Sequence, residues 1–241
     1  MLKYIVKRIA LAIVTIWAVA TLTFFLMNMV PGGPFLSEKA ISPQATAALE
    51  AKYGLDKPLG EQYVTYISGV AHGDFGDSLK QRGRTVAGII QAKFPVSAKI
   101  GGISVLVSLI LGVLLGSIAA LKRGKFLDSL ISVISTMGIA VPSFVICTVL
   151  MYFFGVKFKI LPTMGLSSWQ NYIMPVAALA FYPTAYIMRL MRSSMLDVLG
   201  QDYMRTAKAK GLSGKVQLFK HALRNAILPV VTYVGPMLAY T

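Results

Sequence analysis

Acidic residues, histidines and cysteines are what this 241-residue chain has least of: nine Asp and Glu, two His and one Cys. A lone cysteine, Cys147, excludes an intrachain disulfide framework and a Cys-rich metal site, and inside an apolar run it reads as a small buried side chain. His72 and His221 fall in segments assigned below to opposite faces of a membrane, which argues against a paired-histidine catalytic or metal site; neither H-E-x-x-H nor G-x-S-x-G occurs. A P-loop is also missing, since Gly211–Lys215 (GLSGK) is too short and lacks the following Ser or Thr, so the chain does not bind ATP in that way. No Asp or Glu lies in the interior of a long apolar run, and ion-coupled transporters usually depend on such a carboxylate. These absences leave no expected catalytic residue, cofactor or metal site, and any energy the protein uses enters from outside the chain.

What is abundant is apolar. The chain is 56% hydrophobic and only 14% charged, outside the range of soluble domains, and reads as an all-α polytopic membrane protein. A net charge of +15 would suit nucleic acid on a polar surface, but most of the 24 basic residues stand just beyond the ends of apolar runs, as the positive-inside rule requires.

Residues 1–30 hold a basic start (Lys3, Lys7, Arg8) and the uncharged run Ile9–Val30, 22 residues long and enough for the roughly 30 Å hydrocarbon core. It is longer than a signal-peptide core and reads as a retained span, with Asn28 near its far end either facing a pore or reaching the interface. Residues 31–95 hold six of the nine acids and read as an extracytoplasmic helical subdomain. Its expected parts are a helix over Ser42–Tyr53, capped by Ser42 and closed by Gly54, a second over Gln62–Ala71, and a glycine-punctuated loop, HGDFGDS, at His72–Ser78. His72 beside Asp74 is read as structural.

Residues 96–194 carry three more spans: Val96–Leu121, with Gly112 and Gly116 as G-x-x-x-G and Lys99 snorkelling near one end; Phe126–Phe154, kinked at Pro142; and Tyr172–Met191, broken by Pro175 and Pro183 and ending at Arg189 and Arg192. Residues 195–225 form a basic cytoplasmic loop. Asp202 is placed to cap a short helix, Lys208 and Lys210 suit its C-terminus, and Gly211 supplies the left-handed residue that ends it. A second helix from about Ser213 would carry Val216, Phe219 and Leu223 as an apolar stripe. Residues 226–241 begin a fifth span, 16 residues long, that looks cut off.

With the N-terminus in the cytoplasm, the inner pieces hold fourteen basic and three acidic residues, and the outer pieces ten and six. The inner bias of +11 against +4 supports that orientation and places the basic loop inside.

The run Asp202–Pro229, DYMRTAKAKGLSGKVQLFKHALRNAILP, resembles the cytoplasmic signature loop of permease subunits of bacterial ABC importers in the dipeptide, oligopeptide and nickel group. FLMNMVPGGP at Phe25–Pro34 and GDFGDS at Gly73–Ser78 agree with the B-type subunit of that group. The general importer signature, E-A-A followed three residues later by G, is only half kept: Arg205, Thr206 and Ala207 precede Gly211. The resemblance implies a type I importer permease fold with six spans, of which about five are present, in the bacterial inner membrane. It further implies a homologous second permease, two cytoplasmic ATPase subunits that bind the ATP, an extracytoplasmic substrate-binding protein docking on residues 31–95, surrounding membrane lipid and no nucleic acid. The loop would be the ATPase-coupling element, through Asp202, Tyr203, Met204, Arg205, Ala207, Lys208 and Gly211. Asn28, Pro142 and Pro183 are the candidates for the translocation path. Dipeptides, oligopeptides, nickel chelates and glutathione all remain open as cargo. An ATP-independent channel is the more distant reading, and a membrane-embedded enzyme lacks a convergent polar site.

Overall fold

In the computed structural model of the protein, residues 1–29, 43–81 and 83–241 are described, and they form helices joined by turns, with one isolated bridge, Asp77 to Thr85. The PGGP stretch, Glu38 and the expected Ser42 cap lie outside the described residues. Three helices are long and apolar enough to cross a membrane, or up to five if each of two bent helix pairs is one span. The chain divides into two units, Met1–Phe94 and Pro95–Thr241.

In the first unit, α1 (Leu2–Met29) is exposed along its length, as an apolar helix facing lipid would be. Its far end meets α3 (Leu59–Ala71) through aromatics: Phe24 stacks on Tyr66 at 5.7 Å, Phe25 on Tyr63 at 5.4 Å, and the Thr21 and Tyr63 hydroxyls share a 2.8 Å hydrogen bond. Between them, α2 (Pro43–Tyr53) ends at Gly54, whose φ is +68°, as the sequence predicts. His72 Nδ1 lies 2.7 Å from the Ser68 carbonyl and Asp74 accepts from Gly76 N–H at 2.9 Å, so both engage backbone and shape the loop.

The second unit is built around α7 (Ile173–Leu199). The later part of α4 (Val86–Leu121) lies against it with small residues. A Cβ on Gly112 would stand 2.6 Å from Ile187 Cγ2, and one on Gly116 2.5 Å from the Met188 carbonyl oxygen, so the G-x-x-x-G pair is the seat of this crossing. Ser104 and Ser108, both fully buried, donate to the Val176 and Ala180 carbonyls of α7 at 3.3 and 3.1 Å.

On another side, α5 (Phe126–Ala140) is held by a two-pronged ion pair: Arg192 Nε and Nη2 donate to Asp128 Oδ1 and Oδ2 at 2.5 and 2.8 Å. One turn earlier, Arg189 donates to the Thr136 hydroxyl at 3.2 Å. The helix runs on beyond the end expected for the fourth span. Because Asp128 meets the charge of Arg192 and Met191 and Met195 are fully buried, α7 continues past both arginines to Leu199.

The expected kink at Pro142 is a break. Proline pushes the preceding residue out of the helical region, and Val141 sits at φ −88°, ψ 123°. Helix α6 (Ser143–Leu150), continued by a π-helical turn Met151–Lys157, leaves at 104° to α5. The chain returns through a 3-10 turn, Trp169–Tyr172, to α7.

Candidate functional site

The loop after α7 folds as two short helices at a corner. Helix α8 (Asp202–Ala209) closes in a Schellman motif: Leu212 N–H donates to the Ala207 carbonyl at 3.3 Å and Gly211 N–H to the Lys208 carbonyl at 3.0 Å. Gly211 makes the turn at φ +72°, with open space where a Cβ would be. The cap at the other end differs from the expectation. The N-cap residue is Gln201, whose side chain turns back to the Asp197 carbonyl, and Asp202 occupies the first helical position. There its charge suits the helix dipole, and its 3.6 Å pairing with Arg205 is solvent-exposed and contributes little.

Helix α8 is two-faced. Met204 and Ala207 are buried, while Asp202, Tyr203, Arg205, Lys208 and the turn residue Gly211 face outward. Met204 enters a cluster with Met191 and Met195 of α7, Ala222 and Ala226, Val230 and Met237 of the last helix, and Val105 and Ala120 of α4. The element that presents the exposed basic face is thereby packed into the same core as α4, α7 and the last helix.

The helix beyond Ser213 is compound: α9 (Gly214–Val216), a π-helical segment Gln217–Ala222, α10 (Leu223–Ala226), and after a 45° bend α11 (Leu228–Tyr240). Of the expected stripe, Leu223 packs on the core and the other two members do not. Val216 and Phe219 are exposed, and the packed side is Leu218, Ala222, Leu223 and Ala226. A π segment adds a residue to the turn, so a spacing read at 3.6 residues points to the wrong face. Asn225 Nδ2 donates to the Tyr203 hydroxyl at 3.0 Å, tying this helix to α8.

The three path candidates have different settings. Asn28 donates to the Phe24 carbonyl of its own helix at 2.9 Å. Pro142 is exposed at the break, and Pro183 is buried within α7. A polar feature that composition alone did not signal stands on α7 and α11. Tyr182 and Tyr186, one turn apart near the middle of the span, lie 6.5 Å apart, and Tyr186 lies 4.4 Å from Tyr233. Tyr182 and Tyr186 are exposed, and among the described residues no protein group bonds to the three hydroxyls. Two tyrosines four residues apart in an apolar run were the available signal.

Residues 112–241 match the model of the binding-protein-dependent transport system inner membrane component, and residues 1–100 match the N-terminal model of such a membrane component. The dipeptide transport system permease protein DppB of Bacillus subtilis is 43% identical over 239 residues, covering 99% of this chain and 78% of the relative. The oligopeptide transport system permease protein OppB of Haemophilus influenzae is 43% identical over 241 residues, with 98% and 78% covered, and that of Escherichia coli K12 is 40% identical over 238 residues, with the same coverage. The helical spans, the small-residue crossing of α4 on α7 and these matches over nearly the whole chain lead to one conclusion: this multi-pass protein belongs to the family of binding-protein-dependent transport system inner membrane components.

Proposed function

We propose that the chain is the permease subunit of an ATP-driven importer of di- and oligopeptides. Its N-terminus is cytoplasmic, it pairs with a homologous permease, and two ATPase subunits grip the α8 corner. Relatives named for dipeptide and oligopeptide transport support the cargo, and the charge bias supports the orientation. The observation that carries the coupling role is the two-faced α8, with Tyr203, Arg205 and Lys208 outward and Met204 anchored among the core methionines of α7. A pull on the outer face moves α7 and α11 rather than a slack loop. ATP held by the partner subunits drives their closure, and the corner converts it into alternation of the spans. A binding protein docks on the first unit's extracytoplasmic part.

Tyr182, Tyr186 and Tyr233 line the path. A phenol hydroxyl in hydrocarbon without a partner costs several kcal/mol, whereas one facing a hydrated path can donate to peptide carbonyls while its ring packs on any side chain. Such contacts suit a cargo of varied sequence.

The test is charge reversal at the outer face, Arg205→Glu with Lys208→Glu, in the assembled importer. Loss of ATPase co-purification and of peptide uptake into proteoliposomes, with normal membrane insertion, is expected. Retention of both overturns the coupling assignment.

A further inference from the structure

A groove in the second unit has a lining the transport reading does not use. Lys99, Ile103 and Val107 of α4 form one wall at positions i, i+4 and i+8, and Tyr172 and Val176 at the start of the α7 span form the other, with Trp169 at the mouth. The space is about 550 Å³. Lys99 Nζ sits 4.3 Å from the Tyr172 ring centroid, and it takes part in none of the ion pairs among the described residues, which involve Lys57, Arg192 and Arg205. The groove thus has a cation without a carboxylate at one end and aliphatic walls below it.

Its depth is informative. From Lys99 to Val107 is eight residues, or about 12 Å along the helix, within the roughly 15 Å of one leaflet's hydrocarbon. Trp169 is largely exposed at the cationic end, where indoles seek the headgroup level. A translocating cargo needs a route through both leaflets, and this groove spans one.

We propose that the groove is a binding site for one anionic phospholipid, its phosphate on Lys99 between Tyr172 and Trp169, and an acyl chain against Ile103, Val107 and Val176. Charge complementarity selects the occupant: a neutral or zwitterionic lipid leaves Lys99 without a net counter-charge, and an anionic headgroup supplies it from the leaflet at that depth. The site is independent of which peptide the importer carries.

The purified importer assembly, exchanged into detergent with phosphatidylglycerol or phosphatidylethanolamine, is measured by native mass spectrometry. Phosphatidylglycerol adducts are expected to be preferred, and Lys99→Gln should weaken that preference roughly fivefold, the order expected from one lysine at an anionic surface, while Lys157→Gln leaves it unchanged. Val107→Phe, which fills the lower groove and retains the cation, should also reduce the adduct. Equal retention of the two lipids, or no change in Lys99→Gln, overturns the proposal. A photo-crosslinker at Ile103 provides a second readout. Capture of phosphatidylglycerol supports the site, whereas capture of the partner permease or of a labelled peptide assigns the groove to another occupant and overturns it.

Discussion

Gly211 offers a perturbation whose cost is almost purely conformational. Its φ is +72°, and nothing lies within 4 Å of an added Cβ, so a substitution there meets no neighbouring atom and is penalised only by the backbone. For a β-branched residue in the left-handed region that penalty is about 2 kcal/mol. Asparagine tolerates the same region at a smaller cost and alanine falls between them. The spans are untouched, so membrane insertion should match the parent in all three variants. What shifts is the population in which α8 ends where it does: 2 kcal/mol is roughly a thirtyfold change in that equilibrium. ATPase co-purification and peptide uptake in proteoliposomes should therefore fall in the order glycine, asparagine, alanine, valine, with Gly211→Val reduced by about tenfold or more. Parent-level values for valine, or asparagine as impaired as valine, would refute the reasoning that the turn geometry sets the coupling element.

Asp128→Asn and Arg192→Gln should each lower stability in detergent by about 2 kcal/mol, since each breaks charge-assisted hydrogen bonds at a half-buried joint of α5 and α7. The double variant should cost less than the sum, and additive costs would refute the pairing. Gly116→Val drives its side chain into the Met188 carbonyl and should destabilise the α4–α7 crossing by about 2 kcal/mol or more, whereas Gly102→Val, with open space, should be near neutral. Equal thermal melts for the two would count against that crossing. Tyr186→Phe should keep expression and ATPase association but lower peptide uptake several-fold through loss of one mid-span hydroxyl, and unchanged uptake would remove it from the path.

That the chain holds several helices long and apolar enough to cross a membrane was readable from run length, because covering a hydrocarbon core demands about twenty uncharged residues whatever the packing. The α8 stop was equally readable, since Gly211 after two lysines combines a steric permission with a dipole preference. Other features depend on tertiary partners and left little local trace. The continuation of α7 past Arg189 and Arg192 rests on Asp128 and Thr136, more than fifty residues earlier in the chain. On the packed face after Ser213, Leu223 was legible as a large apolar residue, whereas Ala222 and Ala226 escape such a search and the π segment shifts the register. At Pro142 the sequence indicates a disturbance but not its 104° size, and the close approach of Gly138 on α5 to Ala185 of α7 left no local trace either.

Four of the ten buried residues in the cluster beneath α8 are methionines: Met191, Met195, Met204 and Met237. Unbranched side chains with three soft torsions can change partners while remaining in contact, as branched aliphatics cannot without opening a void. In the coupling role proposed for α8, these four side chains let the joint stay in contact as its packing shifts. In that same proposed role, oxidation of Met204 to its sulfoxide would place a polar group among buried apolar neighbours and is expected to slow transport.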